Sequence, residues 1–321
     1  IGVEHMNNFV FDFYDPTSLK AYNLDKTMQY QLNILGSLDV FTRKHCENVA
    51  NLTCRICEKL HCQKGFIEYC TICAYLHDIG KQFIPQEILQ KPGKLTDEEF
   101  EIMKTHTTIG YKICMDDPKL RPYAAGPIYH HEALNGSGYP KGLTKKEIPY
   151  EGQIIRVADE YDAIVSKRQY KSHVGITDTL KIIIDNTKPL QSVERSDALN
   201  VMTENAKMGK DNPIIVKALM SVIIEDIEYE IFCTSNYVDN LKKNIKRLKT
   251  AQSYYDKMQK AKSEKKKNYN LEGVKLYLDT NETVENFQGI LEEYEKAYVN
   301  RKKNIDHLYD EIKAIKKMKV F

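Results

Sequence analysis

Five histidines and two aspartates stand where a globular chain ordinarily places apolar side chains. His45 begins the helical stripe His45, Val49, Leu52, Ile56, Leu60, and the pair His77-Asp78 ends the stripe Phe66, Tyr69, Cys70, Cys73, Ala74. His106 shares a face with Met103, Gly110 and Ile113, His130-His131 lead into a Gly-rich loop, and Asp159 lies on a fourth stripe with Ile155 and Asp162. A charged or imidazole group on a core-facing stripe must find a partner or a metal ion to offset its desolvation. One such histidine is ordinarily a hydrogen-bonded core residue. Repetition over four stripes points instead to convergence on one site. A carboxylate such as Asp78 can bridge two cations through its two oxygens, while neutral imidazoles complete each shell without adding negative charge. Two cations held about 3.5–4 Å apart lower the pKa of a bridging water and clamp the attacking and leaving oxygens of a phosphoryl centre. The expected chemistry is hydrolysis of a phosphate ester by in-line attack of a metal-bridging hydroxide, with no covalent enzyme intermediate.

The elements that must position these residues read as helices. From about Leu19 to Asp159 the apolar spacing is mostly 3.6-periodic, with breaks where Gly and Pro cluster. Lys91-Pro92-Gly93-Lys94 is the clearest boundary, and Thr96 with Glu99 three residues on predicts a capping box starting a helix to about Cys114. A further helix is predicted over about Gly152 to Ser166. Gly136, Gly138 and Gly142 around Tyr139-Pro140 permit close backbone approaches that side chains would block, and so predict a shaped loop beside the histidines. Tyr139 reads equally as a stacking or hydrogen-bonding contact for a ligand and as a ring closing the loop on the core. Glu132 reads as an acceptor that orients an imidazole.

Composition bounds the remaining readings. With 321 residues, 42% hydrophobic and 29% charged, the chain is of ordinary globular type and long enough for about two domains. The best candidate for a membrane span, Ile214 to Ile224, contains Lys217 and falls short of the roughly 20 residues needed. The first residue is Ile, so the sequence is expected to begin inside a longer product. Eight cysteines are too few and irregular for a disulfide scaffold, and a reducing, cytoplasmic location is expected. Cys54/Cys57 and Cys70/Cys73 have zinc-site spacing, yet they lie on helical stripes with no turn-forming Gly or Pro inside either pair. Buried, reduced cysteines are therefore expected.

The ordered series now carries a family likeness. Leu76-His77-Asp78-Ile79-Gly80-Lys81, Lys91 to Thr96, His106 to Gly110, His130-His131-Glu132, Gly136 to Pro140, Ile155 to Asp159 and Arg168-Gln169-Tyr170-Lys171 together resemble the HD-GYP family over roughly residues 25 to 175. The resemblance implies an all-α, HD-superfamily helical bundle and hydrolysis of the bacterial second messenger cyclic di-GMP, with linear pGpG or GMP as the end product. It further implies two divalent ions, iron or manganese. One would be held by His45, His77, Asp78 and Asp159, the other by Asp78, His106, His130 and His131. By the same likeness Lys81 contacts the scissile phosphate, and Arg168 and Lys171 make further phosphate contacts. Two positions depart from the pattern. Phe41 stands where three-metal members have a Glu four residues before the first metal histidine, which implies a two-metal centre and slow hydrolysis beyond the linear dinucleotide. Asn135 stands where Asp is usual, a change expected to alter loop hydrogen bonding more than ligation.

The rest of the chain differs in charge and pattern. Residues 1 to 236 hold 27 basic against 32 acidic residues, and residues 237 to 321 hold 20 against 13. Three segments are therefore expected: a lead over 1–24, the HD-GYP domain over 25–236, and a basic helical hairpin over 237–321. In the last, Val284, Phe287, Leu291, Tyr294, Tyr298, Arg301, Ile305, Leu308, Ile312 and Ile315 make a heptad seam interrupted by Arg301. Val238, Leu241, Ile245 and Leu248 repeat the spacing, and residues 268–280 read as the connection. A homodimer through this coiled-coil-like extension is expected, with packing onto its own chain as the other reading. The basic face reads as solvated, so no nucleic acid is expected. Beside the phosphodiesterase stand two other readings: a cyclic di-GMP receptor with little turnover, and a phosphodiesterase for another cyclic nucleotide or dinucleotide.

Overall fold

The computed structural model describes Leu38, residues 40–168 and residues 195–320. The described residues form helices, and the one β-type pairing among them is an isolated bridge between Asn135 and Thr144. The protein is all-α, as its periodicity predicts. Two compact units divide the described residues, one comprising Leu38 and residues 40–168, 195–224 and 314–320, the other residues 225–313.

The first unit begins with α1 (Val40–Lys59) and α2 (Lys64–Leu76), which pack on each other. Their apolar stripes are buried as expected, with Val49, Ile56, Cys70, Cys73 and Leu76 fully covered. Cys54, Cys57, Cys70 and Cys73 are all buried and none is in a disulfide, each a small core side chain. A 3-10 turn (Ile79–Phe83), the short α3 (Gln86–Leu89) and α4 (Asp97–Asp116) follow. The capping box of α4 forms as read: Glu99 N–H donates to Thr96 Oγ1 at 3.2 Å, and Thr96 N–H to Glu99 Oε2 at 2.7 Å. Then come α5 (Ala125–Tyr129), α6 (Tyr150–Arg168), which packs against α1, and α7 (Arg195–Lys207), which packs against α6. Ile72, Leu76, Ile79, Cys114, Leu120 and Ala124 form a core cluster beneath the 3-10 turn. Gly80 is required there, because a Cβ would lie 2.0 Å from the carbonyl oxygen of His106. That close approach brings the turn after His77-Asp78 onto α4.

Helix α8 (Pro213–Lys260) is continuous through residue 236, where the change of composition suggests a boundary; the division between units falls at Ile224/Glu225 instead. In the second unit α9 (Glu264–Leu276) occupies much of the stretch read as a connection, and α10 (Phe287–Lys317) carries the predicted seam. Gly273 reads as a breaker, but it sits within α9 against the ring of Tyr254, 2.4 Å from where a Cβ would stand. Phe287 and Leu291 pack with Leu248, Ala251 and Val274, so this end of the seam is covered by its own chain. Arg301, which interrupts the heptads, is itself buried. Arg247 pins the 277–286 connection, donating to both carboxylate oxygens of Glu282 at 2.5 and 2.7 Å and to the Tyr277 carbonyl at 2.6 Å. No helix among the described residues is long and apolar enough to cross a membrane.

Candidate metal centre

Each ligand-type side chain reaches the centre from a different helix end or face. His77 caps the C-terminus of α2, where the chain leaves the helix, and its Nδ1 lies 2.6 Å from the Ala74 carbonyl oxygen. His106, on α4, lies one turn from Met103 and places Nδ1 2.6 Å from that residue's carbonyl. His130 caps α5, with Nδ1 3.0 Å from the Gly126 carbonyl. A carbonyl oxygen only accepts, so each of these Nδ1 atoms carries the proton and each Nε2 presents a lone pair inward.

Those lone pairs face other nitrogens. His106 Nε2 and His130 Nε2 are 3.2 Å apart, and His77 Nε2 is 3.3 Å from His45 Nε2. Between them lies Asp78, fully buried. Its Oδ2 is 3.2 Å from His77 Nε2 and 3.6 Å from His45 Nε2, while Oδ1 is 3.4 Å from His106 Nε2 and 3.9 Å from His130 Nε2. Oδ1 has no hydrogen-bond donor. A buried carboxylate oxygen aimed at unprotonated nitrogens is unfavourable unless a cation stands among them. The donor set therefore fits metal ions, in two groups of three: His45, His77, Asp78 and His106, His130, His131.

Asp159, on α6, reaches both groups. Its Oδ1 is 3.0 Å from His45 Nε2 and 3.8 Å from His77 Nε2, and its Oδ2 is 3.7 Å from His131 Nδ1. The Nδ1 of His45 faces Asp162 Oδ2 at 2.6 Å, one turn further along α6. Burial pulls the His45 imidazole down, but the hydrogen bonds and charges of Asp159 and Asp162 outweigh it and lift its pKa to about 10. As an imidazolium His45 donates to both aspartates; as a metal ligand it keeps the Asp162 bond and releases Nε2. On the other side, burial pushes His106 and His130 down and takes His131 to about 3, so these three are neutral, the form that binds metal. Burial works against ionised Asp78, but Lys81 and His77 outweigh it and hold the carboxyl well below its usual range. Lys81 Nζ lies 2.5 Å from Asp78 Oδ2.

The loop after His131 is tied down from several directions. Glu132, read from the sequence as orienting an imidazole, instead accepts from the backbone N–H groups of Lys141 at 2.7 Å and Leu143 at 2.8 Å, closing the glycine loop on itself. Gly138 passes so close that a Cβ would lie 2.2 Å from Ala133 N and 2.4 Å from the His131 carbonyl. Tyr139 stacks on His131 with ring centroids 4.6 Å apart. Asn135 accepts from Ser137 N–H at 3.1 Å and hydroxyl at 2.7 Å, a local loop role rather than a ligand's. Arg156 donates from Nε to Asp211 Oδ1 at 2.8 Å and from a terminal nitrogen to the His131 carbonyl at 3.4 Å, and it also pairs with Glu160. Leu134 N–H adds a bond to the Lys210 carbonyl at 2.9 Å. The turn between α7 and α8 thus braces the segment bearing His130 and His131.

The structure brings together His45, His77, Asp78, His106, His130, His131 and Asp159, with Lys81 and Tyr139 beside them. Arg168 ends α6, but its side chain lies outside the described residues, as does Lys171. Phe41 lies on α1 one turn before His45, and its side chain is likewise outside them. In the sequence Asp162 lies near the stripe of Asp159 with no evident task, and the Arg156–Asp211 brace, whose partners are 55 residues apart, leaves no local signal.

An all-α domain with a buried His/Asp site for metal ions is the class that fold and geometry define. The chain belongs to the HD domain family, whose model matches residues 29–190, and its ordered motifs are of the HD-GYP type. A cyclic di-GMP phosphodiesterase from Thermotoga maritima is 40% identical over 215 residues, covering 60% of this chain and 58% of that protein. The cyclic di-GMP phosphodiesterase response regulator RpfG from Xanthomonas campestris is 38% identical over 40% of this chain and 35% of its own length. A 3'3'-cGAMP-specific phosphodiesterase 2 from Vibrio cholerae is 32% identical over 53% of this chain and 32% of its own. The chain thus spans about a third to three fifths of the length of these curated relatives.

Proposed function

We propose that this chain is a metal-dependent phosphodiesterase that hydrolyses cyclic di-GMP to linear pGpG. The observation that carries the reading is the division of Asp78, one oxygen toward His45 and His77, the other, without a donor, toward His106 and His130. Two divalent ions, iron or manganese by the mixed imidazole and carboxylate donors, would supply an activated water and polarise the phosphate. His45, His77, Asp78 and Asp159 would hold one, and Asp78, His106, His130 and His131 the other. The reach of Asp159 Oδ2 toward His131 makes that carboxylate a second link between the groups. Lys81, partly open to solvent, is placed to offset charge developing on the phosphate oxygens. Tyr139 walls the site beside His131. Arg168 and Lys171 are proposed as further phosphate contacts. Phe41, at the position of a third-metal Glu, supports slow conversion of pGpG to GMP.

The Vibrio relative named for cGAMP favours one further reading, a phosphodiesterase for another cyclic dinucleotide on the same centre. A bacterial cytoplasm is the proposed location, because that is where cyclic di-GMP signals. For the homodimer through residues 237–321, the coverage of Phe287 and Leu291 leaves exposed side chains such as Val299 and Tyr309 on α10 as the proposed contacts. Sedimentation of the whole chain as a monomer would contradict it. The catalytic reading is tested by incubating cyclic di-GMP, cGAMP and cyclic di-AMP with anaerobically purified protein supplied with iron or manganese, beside Asp78→Ala. Accumulating pGpG, absent in the variant, is the expected result. Binding without turnover under either metal would support a receptor instead.

A further inference from the structure

The ring system of the metal centre does not stop at Tyr139. His130 and His131 have centroids 4.0 Å apart, His131 and Tyr139 4.6 Å, and Tyr139 meets Phe100 edge-on at 6.1 Å. Phe100 sits on the first turn of α4, is 44% exposed, and therefore ends an aromatic path that runs from buried ligand-type histidines to solvent. One turn on, Lys104 places Nζ 5.3 Å from the Phe100 centroid and 5.8 Å from that of Tyr139. Its carboxylate partner is Glu101, 2.5 Å away and itself largely exposed, a solvent-side contact that can be given up.

An exposed ring and a cation at i and i+4, two ring contacts from a metal ligand, match one kind of ligand part. A purine offers a flat π-face for the ring, and guanine offers O6 and N7 as adjacent acceptors for an ammonium group. Adenine presents an amino donor in place of O6, which an ammonium group cannot satisfy. We propose that Phe100 and Lys104 form a purine wall for the substrate, Phe100 stacking on one base and Lys104 donating to its guanine acceptors. Phe100 thus supplies base-tolerant affinity, and Lys104 supplies preference for guanine over adenine. The inference rests on the reading of the centre as a cyclic dinucleotide site.

Equilibrium calorimetry on the whole, metal-loaded chain separates the two. The ligands are non-hydrolysable phosphorothioate analogues of cyclic di-GMP and cyclic di-AMP. Phe100→Ala should weaken binding of both by about tenfold, the range of base stacking on one aromatic side chain, and Phe100→Trp should restore it. Lys104→Met should weaken the guanine ligand by about tenfold and leave the adenine ligand unchanged, collapsing the preference. Tyr111→Ala, an exposed ring elsewhere on α4, should change neither, and equal metal content in all variants shows that the centre is intact. Unchanged affinity in Phe100→Ala overturns the stacking role, and an unchanged guanine preference in Lys104→Met overturns the readout role. If the unaltered chain binds neither analogue, the cyclic dinucleotide reading itself fails, and the purine wall with it.

Discussion

Polar groups withdrawn from solvent are treated in opposite ways in the two units. In the second unit Arg247 is fully answered, by both oxygens of Glu282 and by the Tyr277 carbonyl, and it fastens a loop. At the centre of the first unit the inner nitrogens of His106 and His130 face each other at 3.2 Å with both protons held on the outer nitrogens, and Asp78 Oδ1 has no donor. Polar groups that satisfy one another hold structure. Polar groups that jointly lack one positive charge describe a site for it. The Arg156–Asp211–Glu160 cluster lies between these cases: it is paired like the half-buried Arg247, yet a further donor of Arg156 goes to the carbonyl of a ligand-type histidine.

That contrast can be broken most forcefully at Arg156. Replacing it with Met leaves Asp211 buried and unpaired, and removal of one partner of a buried pair costs about 3–5 kcal/mol. Chemical denaturation should show that loss, and the double replacement Arg156→Met/Asp211→Leu should recover much of it. Recovery of stability without recovery of metal content would separate bracing of His131 from folding. A smaller effect is expected at Asp162. Asp162→Asn removes the charged acceptor of His45 Nδ1, and such outer partners are worth about 10–100-fold in metal affinity. Competition with a chelator measures it, and unchanged affinity would remove Asp162 from the account. The smallest effect is expected at Arg247. Its pair with Glu282 is partly open to solvent, so Arg247→Ala should lower stability by about 1 kcal/mol and leave metal content untouched.

What the sequence made legible follows the range of the interaction. His45, His77, Asp78, His106 and Asp159 stood out because they interrupt or end the apolar stripes of their helices, and His130-His131 because they lead into a Gly-rich loop, signals contained within a few turns. The Thr96/Glu99 cap is equally local. The Arg156 brace was hidden because neither Arg156 nor Asp211 is unusual alone, and only the packing of α6 near the turn before α8 joins them. Glu132 was misread for a related reason. Its place after two histidines suggested an imidazole partner, whereas the glycine loop folds two backbone N–H groups onto it. Gly273 and its neighbours read as a connection because Gly and Asn are weak helix formers, and the packing of Val274 and of Tyr254 against Gly273 overrode that preference.

Asp78 is proposed to join two metal positions in one centre. Elemental analysis of anaerobically purified, metal-supplied protein tests it most directly, with the unaltered chain beside Asp78→Ala. Two ions per chain are expected in the first and loss of both positions in the second. Three ions per chain, or two retained without Asp78, would contradict it.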